Sequence, residues 1–409
     1  MIALLLAALL LAGACSSDDD GGDAAATTDA AGDGATTTTA AADGGIDTTR
    51  VQAVVEELAS DELAGRDNGT PGGEAARAYL IGQLEEFTEP LPDAPDGYEW
   101  PIDQGVNLLG LIPGGDLADE YLVLGAHYDH IGSDCPSDDP ADTICNGAAD
   151  NAAGVASALE AARALAAAGT ERSVVVALWD REEDGLLGAE AYVADPPFPL
   201  EDTVAYLNWD IQGANLSPTL ADTTVVVGAE TGGPDLVAAS EAATGASDLQ
   251  ALDLSLLFGQ GRSDHAPFAA AGVPVVFYTD ANNSCYHTAQ DDLTTLDLDK
   301  LFRQVPIGTA LAQDLAATDT PPSFDAAAPA ASFADAQSML AVLDTAQDDF
   351  GLFGDEGAAD AEAYLADLQA MVDAGEAAFD DDAVSRLLGG AVDVVELLTT
   401  GECDGYLDG

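Results

Sequence analysis

Four histidines are spread over 409 residues, and all of them fall in three short motifs: HYDHIG with His127 and His130, SDH with His265, and CYHT with His287. Carboxylates accompany them. Asp129 follows His127 by two residues, Asp150 sits in NGAADNAAG, Glu182 and Glu183 close the stretch VVVALWDR, and Asp210 closes VAYLNW. Imidazole nitrogen and carboxylate oxygen are donors that zinc takes, and a catalytic zinc keeps one position open for water. The donors divide into two sets around a shared bridge: His127, Asp210 and Asp150 for one ion, Glu183, His287 and the same Asp150 for a second. Two ions so bridged would lie about 3.5–4 Å apart, with room between them for a shared water or hydroxide. Glu182, adjacent to Glu183 on a loop, can turn toward that water as general base. Asp129 can accept a hydrogen bond from the second ring nitrogen of His127 and so fix its tautomer. Taken singly, Asp150 reads as a helix N-cap and Asp129 as a solvated loop acid. Their convergence is what turns them into a metal centre. Asp264 and His265 read as supports of the loop that carries a substrate pocket, and Tyr278 or Tyr286 as oxyanion donors or simply packed rings.

Most of these donors stand at the ends of apolar runs, which fixes the kind of fold that must hold them. The chain alternates aliphatic runs (VNLLGLI, YLVLGAH, SVVVALWD, VAYLNWD, TTVVVG, VPVVFY) with Ala-rich helical stretches such as AAGVASALEAARALAAAG. This alternation predicts an α/β sheet covered on both faces, in which ligands gather at the carboxyl ends of the strands. Helical spacing also predicts two opening helices, VQAVVEELAS and GGEAARAYLIGQLEEF, separated by the turn-rich AGRDNGTPGG. Beyond about Thr320 the stretches FADAQSMLAVLDTAQ, AEAYLADLQAMVDAG and DAVSRLLGGAVDVVELL read as helices of a small appendage.

In order along the chain, HYDHIG, ADNAAG, WDREEDGLLGAE, NWD, SDHAPFAAAGVP and CYHTAQDD resemble the zinc-dependent exopeptidases that include bacterial leucine aminopeptidases and glutamate carboxypeptidase. The resemblance runs from about Val51 to Ala310 and includes the Gly65-Arg66 pair. It implies a three-layer αβα sandwich with a mixed, mostly parallel sheet of phosphorylase/hydrolase type, carrying two zinc ions. It implies His127, Asp150, Glu183, Asp210 and His287 as metal ligands and Glu182 as the base. The interval from Asn107 to His127 is too short for the domain that many relatives insert there, and the helical region after Thr320 is not expected of the family.

Composition narrows the rest. Seventy-five acidic residues stand against 10 basic ones, a formal charge of -65 with Lys300 the sole lysine, so nucleic acid is repelled as a partner. Residues 1–15 read as a lipoprotein signal peptide, because the apolar run IALLLAALLLA is too short to span a membrane and is followed by GAC with Cys15. Residues 16–49, nearly all Ser, Asp, Gly, Ala and Thr, read as a disordered linker, 50–318 as the catalytic domain and 319–409 as the helical C-terminal region. A lipid on Cys15 would tether the protein outside the membrane; simple secretion is the alternative. The four remaining cysteines then suit an oxidising compartment. They allow three connectivities, of which Cys135–Cys145 with Cys285–Cys403 is the preferred one.

The expected activity is hydrolysis of the N-terminal bond of peptides, since carboxylates hold a free amino group and cations are scarce. A glutamate-carboxypeptidase-like hydrolase using Arg262 or Arg181, and a surface-displayed binding protein without turnover, are the alternatives.

Overall fold

The computed structural model describes residues 45–400 apart from Asp93 and residues 138–140, together with Cys403. The expected signal peptide with Cys15, and the linker up to residue 44, lie outside the described residues. Packing begins inside the last few residues of that expected linker. Ile46 is buried against the core, and Asp47 caps helix α1 (Thr48–Leu58) by accepting from the backbone of Thr49 and Arg50. The Asp47 backbone and the Arg50 guanidinium both donate to buried Glu160, which pins this entry point to the middle of the molecule.

Helix α2 (Pro71–Glu85) starts where Thr70 accepts from Gly73 N–H and proline occupies the first turn. There follow β1 (Glu89–Pro90), β2 (Glu99–Ile102), β3 (Gly105–Ile112), β4 (Leu117–His127), α3 (Gly154–Ala168), β5 (Arg172–Trp179), α4 (Leu187–Ala194) and β6 (Thr203–Trp209). The domain continues with β7 (Thr223–Val227), α5 (Gly233–Thr244), β8 (Gln250–Leu254), α6 (His265–Ala270), β9 (Val275–Thr279) and α7 (Leu298–Ala317). Among the described residues the strands form one mixed sheet in the order β1-β3-β5-β4-β6-β9-β7-β8, with β2 also paired to β3. The β5-β4-β6-β9 core is parallel, while β3 on β5 and β7 on β9 are antiparallel. Only residues 113–116 separate β3 from β4, so the insertion seen as too long for this interval is indeed not there.

Both faces of the sheet are covered, which is why the central strands are apolar at every position rather than at alternate ones. Leu122, Leu124, Val174, Val176, Leu178, Ala205 and Leu207 face one core shared with α1, α2, α3 and α7. Val123, Val175, Ala177, Trp179 and Tyr206 face the other, built with α4 and α6. The sequence reading of an α/β sandwich therefore holds, although α4 to α7 and the short strands β1, β2 and β8 were not singled out by it.

The C-terminal helices α8 (Phe333–Thr345), α9 (Gly354–Ala374) and α10 (Asp381–Thr400) are not loosely appended. Val342, Leu343, Phe350, Tyr364, Leu368 and Leu387 join Val225, Val227, Leu252 and Phe277 in a single apolar cluster on the β7-β8 side of the sheet. Asp335 completes a capping box with Ser332 and accepts from both the backbone (2.6 Å) and hydroxyl (2.7 Å) of Ser255. Beneath the end of β9, the Lys300 ammonium is 2% exposed, donates to Ala214 carbonyl (2.7 Å) and pairs with Asp280 (3.1 Å). Gln304 joins the same knot by donating to Asp280 and Thr224.

Candidate metal centre

The strand ends deliver the predicted donors to one place. His127 is the last residue of β4, Glu182 and Glu183 follow β5, and Asp210 follows β6, three strands that neighbour one another in the sheet. Asp150 comes from the turn entering α3, and His287 from the loop after β9. That turn depends on Gly147, in the left-handed region at φ +57°, where a Cβ would meet Asp150 carbonyl at 2.1 Å and the His130 ring at 2.6 Å. His287 is itself left-handed, at φ 57°, in a loop tied down by the Cys285–Cys403 disulfide and by Asn283, whose side chain accepts from Cys285 N–H. The second disulfide joins Cys135 to Cys145, so both preferred pairings are present.

His127 Nε2 lies 3.2 Å from Asp150 Oδ1 and 3.3 Å from Asp210 Oδ1. His287 Nε2 lies 3.3 Å from Asp150 Oδ2 and 3.0 Å from Glu183 Oε2, yet makes a properly directed hydrogen bond to neither. Two donor groups thus share Asp150, one oxygen to each side. In each, the donor atoms lie within 4.8 Å of one another. Ligands at about 2.0–2.1 Å around a tetrahedral zinc are themselves about 3.3 Å apart, so the measured separations fit metal coordination at each group. Asp150 caps nothing: no side-chain cap is made at the start of α3.

The remaining residues singled out in the sequence lie near these groups or pack behind them. Glu182, 8% exposed, groups with His127 and Glu183. Asp129 is buried; its backbone carbonyl lies 3.2 Å from His127 Nδ1 and its Oδ1 3.5 Å, while its two carboxylate oxygens accept from the backbone N–H of Glu182 (3.1 Å) and Glu183 (3.3 Å). It therefore holds the His127 ring and the turn carrying both glutamates at once. Asp264 and His265 are fully buried but belong to neither donor group; His265 stacks on Phe277. Tyr278 packs flat on Trp209, and Tyr286 stacks on His287 with ring centroids 3.8 Å apart.

Three contributors went unassigned by sequence reasoning. His130 donates or accepts through Nδ1 at 2.6 Å from Glu183 Oε1, and it falls within the second donor group. Asp291 accepts from Ala149 N–H (2.8 Å) and Asp150 N–H (3.0 Å), which fixes the backbone that carries the Asp150 carboxylate. Arg66 is buried and donates to the carbonyls of Leu58, Tyr128, Asn146, Gly147 and Asp150, knitting the His127 and Asp150 loops to α1. His130 and Asp291 lie inside motifs already noted, but a contact across more than 50 residues leaves no local signal.

The electrostatics are those of crowded, desolvated carboxylates. Burial pushes Glu182 well above the usual range; His127 opposes this, and Asp210, Asp264 and Glu183 add to it. Burial lowers His287, but Asp150 and Glu183 outweigh it and raise the imidazole to about 10. The negative potential that makes these rings hold protons so tightly is the same one that attracts dications.

Residues 107–305 match the profile of Peptidase family M28. Leupeptin-inactivating enzyme 1 of Streptomyces exfoliatus is 28% identical over 59% of this chain and 55% of its own length. The Caenorhabditis elegans glutamate carboxypeptidase 2 homolog is 27% identical over 49% of this chain and 29% of its own. This chain thus spans about half or less of the length of those two relatives. The crystal structure of Legionella pneumophila LapA aminopeptidase superposes with a TM-score of 0.54 at 20% identity, over 67% of this chain and 72% of that one, and so shares the fold. The segment that resembles Peptidase family M28 carries all the donors of both groups.

Proposed function

We propose that the chain is a zinc-dependent metallopeptidase that releases residues from the N-termini of peptides. The observation that carries this reading is the pair of donor groups sharing Asp150, with the buried Glu182 carboxyl beside His127. His127, Asp150 and Asp210 would hold one zinc ion; Asp150, Glu183 and His287 would hold the other. When bound, the two ions supply positive charge that polarises the scissile carbonyl and acidifies the attacking water.

The chain's own side chains do the remaining work. Glu182 takes the proton of the attacking water on its carboxylate and passes it to the departing amine. Asp129 holds the His127 ring in one tautomer and keeps the Glu182-Glu183 turn in register with it. Asp150, Glu182 and Asp210 line the polar end of a pocket and favour a terminal ammonium group.

Arg262 lines the same pocket and is the only basic residue among the described residues that do. It supports a second reading, in which a terminal carboxylate is bound and the activity is glutamate-carboxypeptidase-like. Free-amine, N-blocked and C-blocked dipeptides separate the two: cleavage that survives N-blocking and fails on C-blocking would reject the aminopeptidase. Glu182→Gln should keep two zinc ions per chain by elemental analysis and lose about 10²–10⁴ in kcat. Unchanged turnover in that variant would remove Glu182 from the mechanism.

The proposal includes a site of action outside the cytosol, by lipid on Cys15 or by secretion, which the apolar run before Cys15 and the two disulfides support. Radiolabelled palmitate incorporated by the parent and not by Cys15→Ser would establish the anchored form.

A further inference from the structure

The pocket at the candidate metal centre does not end at the family-matched segment. It starts at Asp150, Glu182 and Asp210, runs between Leu252, Leu254 and Phe277, and ends against Met339, Val342, Leu343, Ala346, Phe350 and Phe353. All six residues of that far wall belong to the region after residue 305, beyond the match to Peptidase family M28. The cavity measures about 170 Å³. A dry apolar cavity of about 150 Å³ takes up benzene, so an aromatic ring or a long aliphatic chain fits. A polar side chain would surrender its hydrogen bonds to water against a wall that offers none.

The wall is fastened to loops at the edge of the sheet at three separate places. Asp335 grips Ser255, Asp349 accepts from Thr219 N–H at 2.7 Å, and the Cys285–Cys403 disulfide joins the end of the helical region to the loop that presents His287. A wall so tied is formed before substrate arrives, and binding need not order it.

We propose that the α8–α10 region is the specificity element of this site, forming the far wall of a subsite that seats a large apolar side chain, aromatic or long aliphatic, of the residue being released. The inference rests on the peptidase reading for the identity of the ligand, and its test reads the pocket with and without turnover.

The zinc-loaded full chain and the variants Ala346→Phe, which fills the cavity, and Phe350→Ala, which enlarges it, are compared in two assays. Calorimetry with ethylamine, pentylamine, octylamine and phenethylamine reads the pocket alone. Affinity of the parent should rise about fourfold per methylene, the equivalent of about 0.8 kcal/mol, and Ala346→Phe should abolish the rise. Aminoacyl-p-nitroanilides of alanine, leucine, phenylalanine and 2-aminooctanoate read turnover. Here Ala346→Phe should lower kcat/KM tenfold or more for the two largest substrates relative to alanine, while Phe350→Ala should shift preference toward 2-aminooctanoate. Amine binding that tracks chain length without hydrolysis of any substrate would uphold the pocket and reject the peptidase. Hydrolysis with one unchanged ranking in parent and both variants would overturn the inference. If Ala346→Phe fails to fold, Phe350→Ala decides alone, because a missing shift toward longer chains in both assays contradicts the wall.

Discussion

Replacing Arg66 by methionine should loosen the metal centre from behind, without touching a donor. The guanidinium donates to Tyr128 carbonyl at 3.0 Å, Leu58 at 2.9 Å, Gly147 at 2.9 Å and Asp150 at 3.3 Å, and also to Asn146. Methionine fills much of the same volume and leaves five buried carbonyls short of a partner. At about 1 kcal/mol each the loss is about 5 kcal/mol. Part is recovered, since burial penalises the guanidinium, lowering its pKa, and methionine carries no such penalty. A net loss of about 3–4 kcal/mol remains, a large share of the 5–15 kcal/mol that holds a typical domain together. With an unfolding entropy of about 2.1 cal/mol/K per residue over residues 45–400, the melting temperature should fall by about 4–5 °C. The measurement is calorimetry in chelator, which separates folding from metal binding, followed by zinc titration of the folded protein. Zinc affinity should fall about 10–100-fold, because the loops of His127 and Asp150 lose their common tether. Arg66→Lys should recover little, having the charge but not the forked donors. A methionine variant that melts within 1 °C of the parent and binds zinc equally well would refute the clamp.

Asp291→Ala should leave the fold intact and weaken zinc binding about 10–100-fold, because Asp150 loses the acceptor of its backbone N–H; an unchanged zinc titration would contradict that role. Burial holds His265 down at about 3, below its unfolded value of about 6.5, so the unfolded chain takes the proton first. Stability from this group is intact above about pH 6.5 and declines as pH falls toward 3. His265→Phe should flatten the fall in urea-unfolding free energy between about pH 6 and pH 4, and parallel profiles for parent and variant would dismiss the idea. Removing the Cys285–Cys403 bridge with a double serine variant should cost about 4–5 kcal/mol by loop entropy, since it spans 118 residues; equal denaturation midpoints would count against it.

The residues whose chemistry is local were legible from the sequence. His127, Glu182, Glu183 and Asp210 sit at or just after the end of an apolar run and Asp150 at the start of a helix, and a strand end is visible in composition alone, whereas His287 lies in a loop and stood out only through its CYHT motif. What joins them from the side was not legible. His130 reaches Glu183 across 53 residues, and Asp291 reaches Ala149 across 142. Both lie inside noted motifs, yet nothing in those motifs names the distant group that each one meets. The C-terminal helices could be read as helices because their apolar spacing is periodic. Their docking on β7 and β8 could not, since periodicity names a face and not its partner. Strand β8 itself, QALDL, escaped notice because its half-exposed positions dilute the apolar signal.

Lys300 leaves the protein with an unusual chemical handle. Its amine is the sole lysine side chain, and in the folded state it is enclosed by Ala214, Asn215 and Asp280. Acylating reagents that label ordinary proteins at dozens of surface amines should therefore find no side chain here until the junction of β9 and α7 opens. Mass-tagging at residue 300 would then time that opening event directly, one molecule at a time and without any engineered probe.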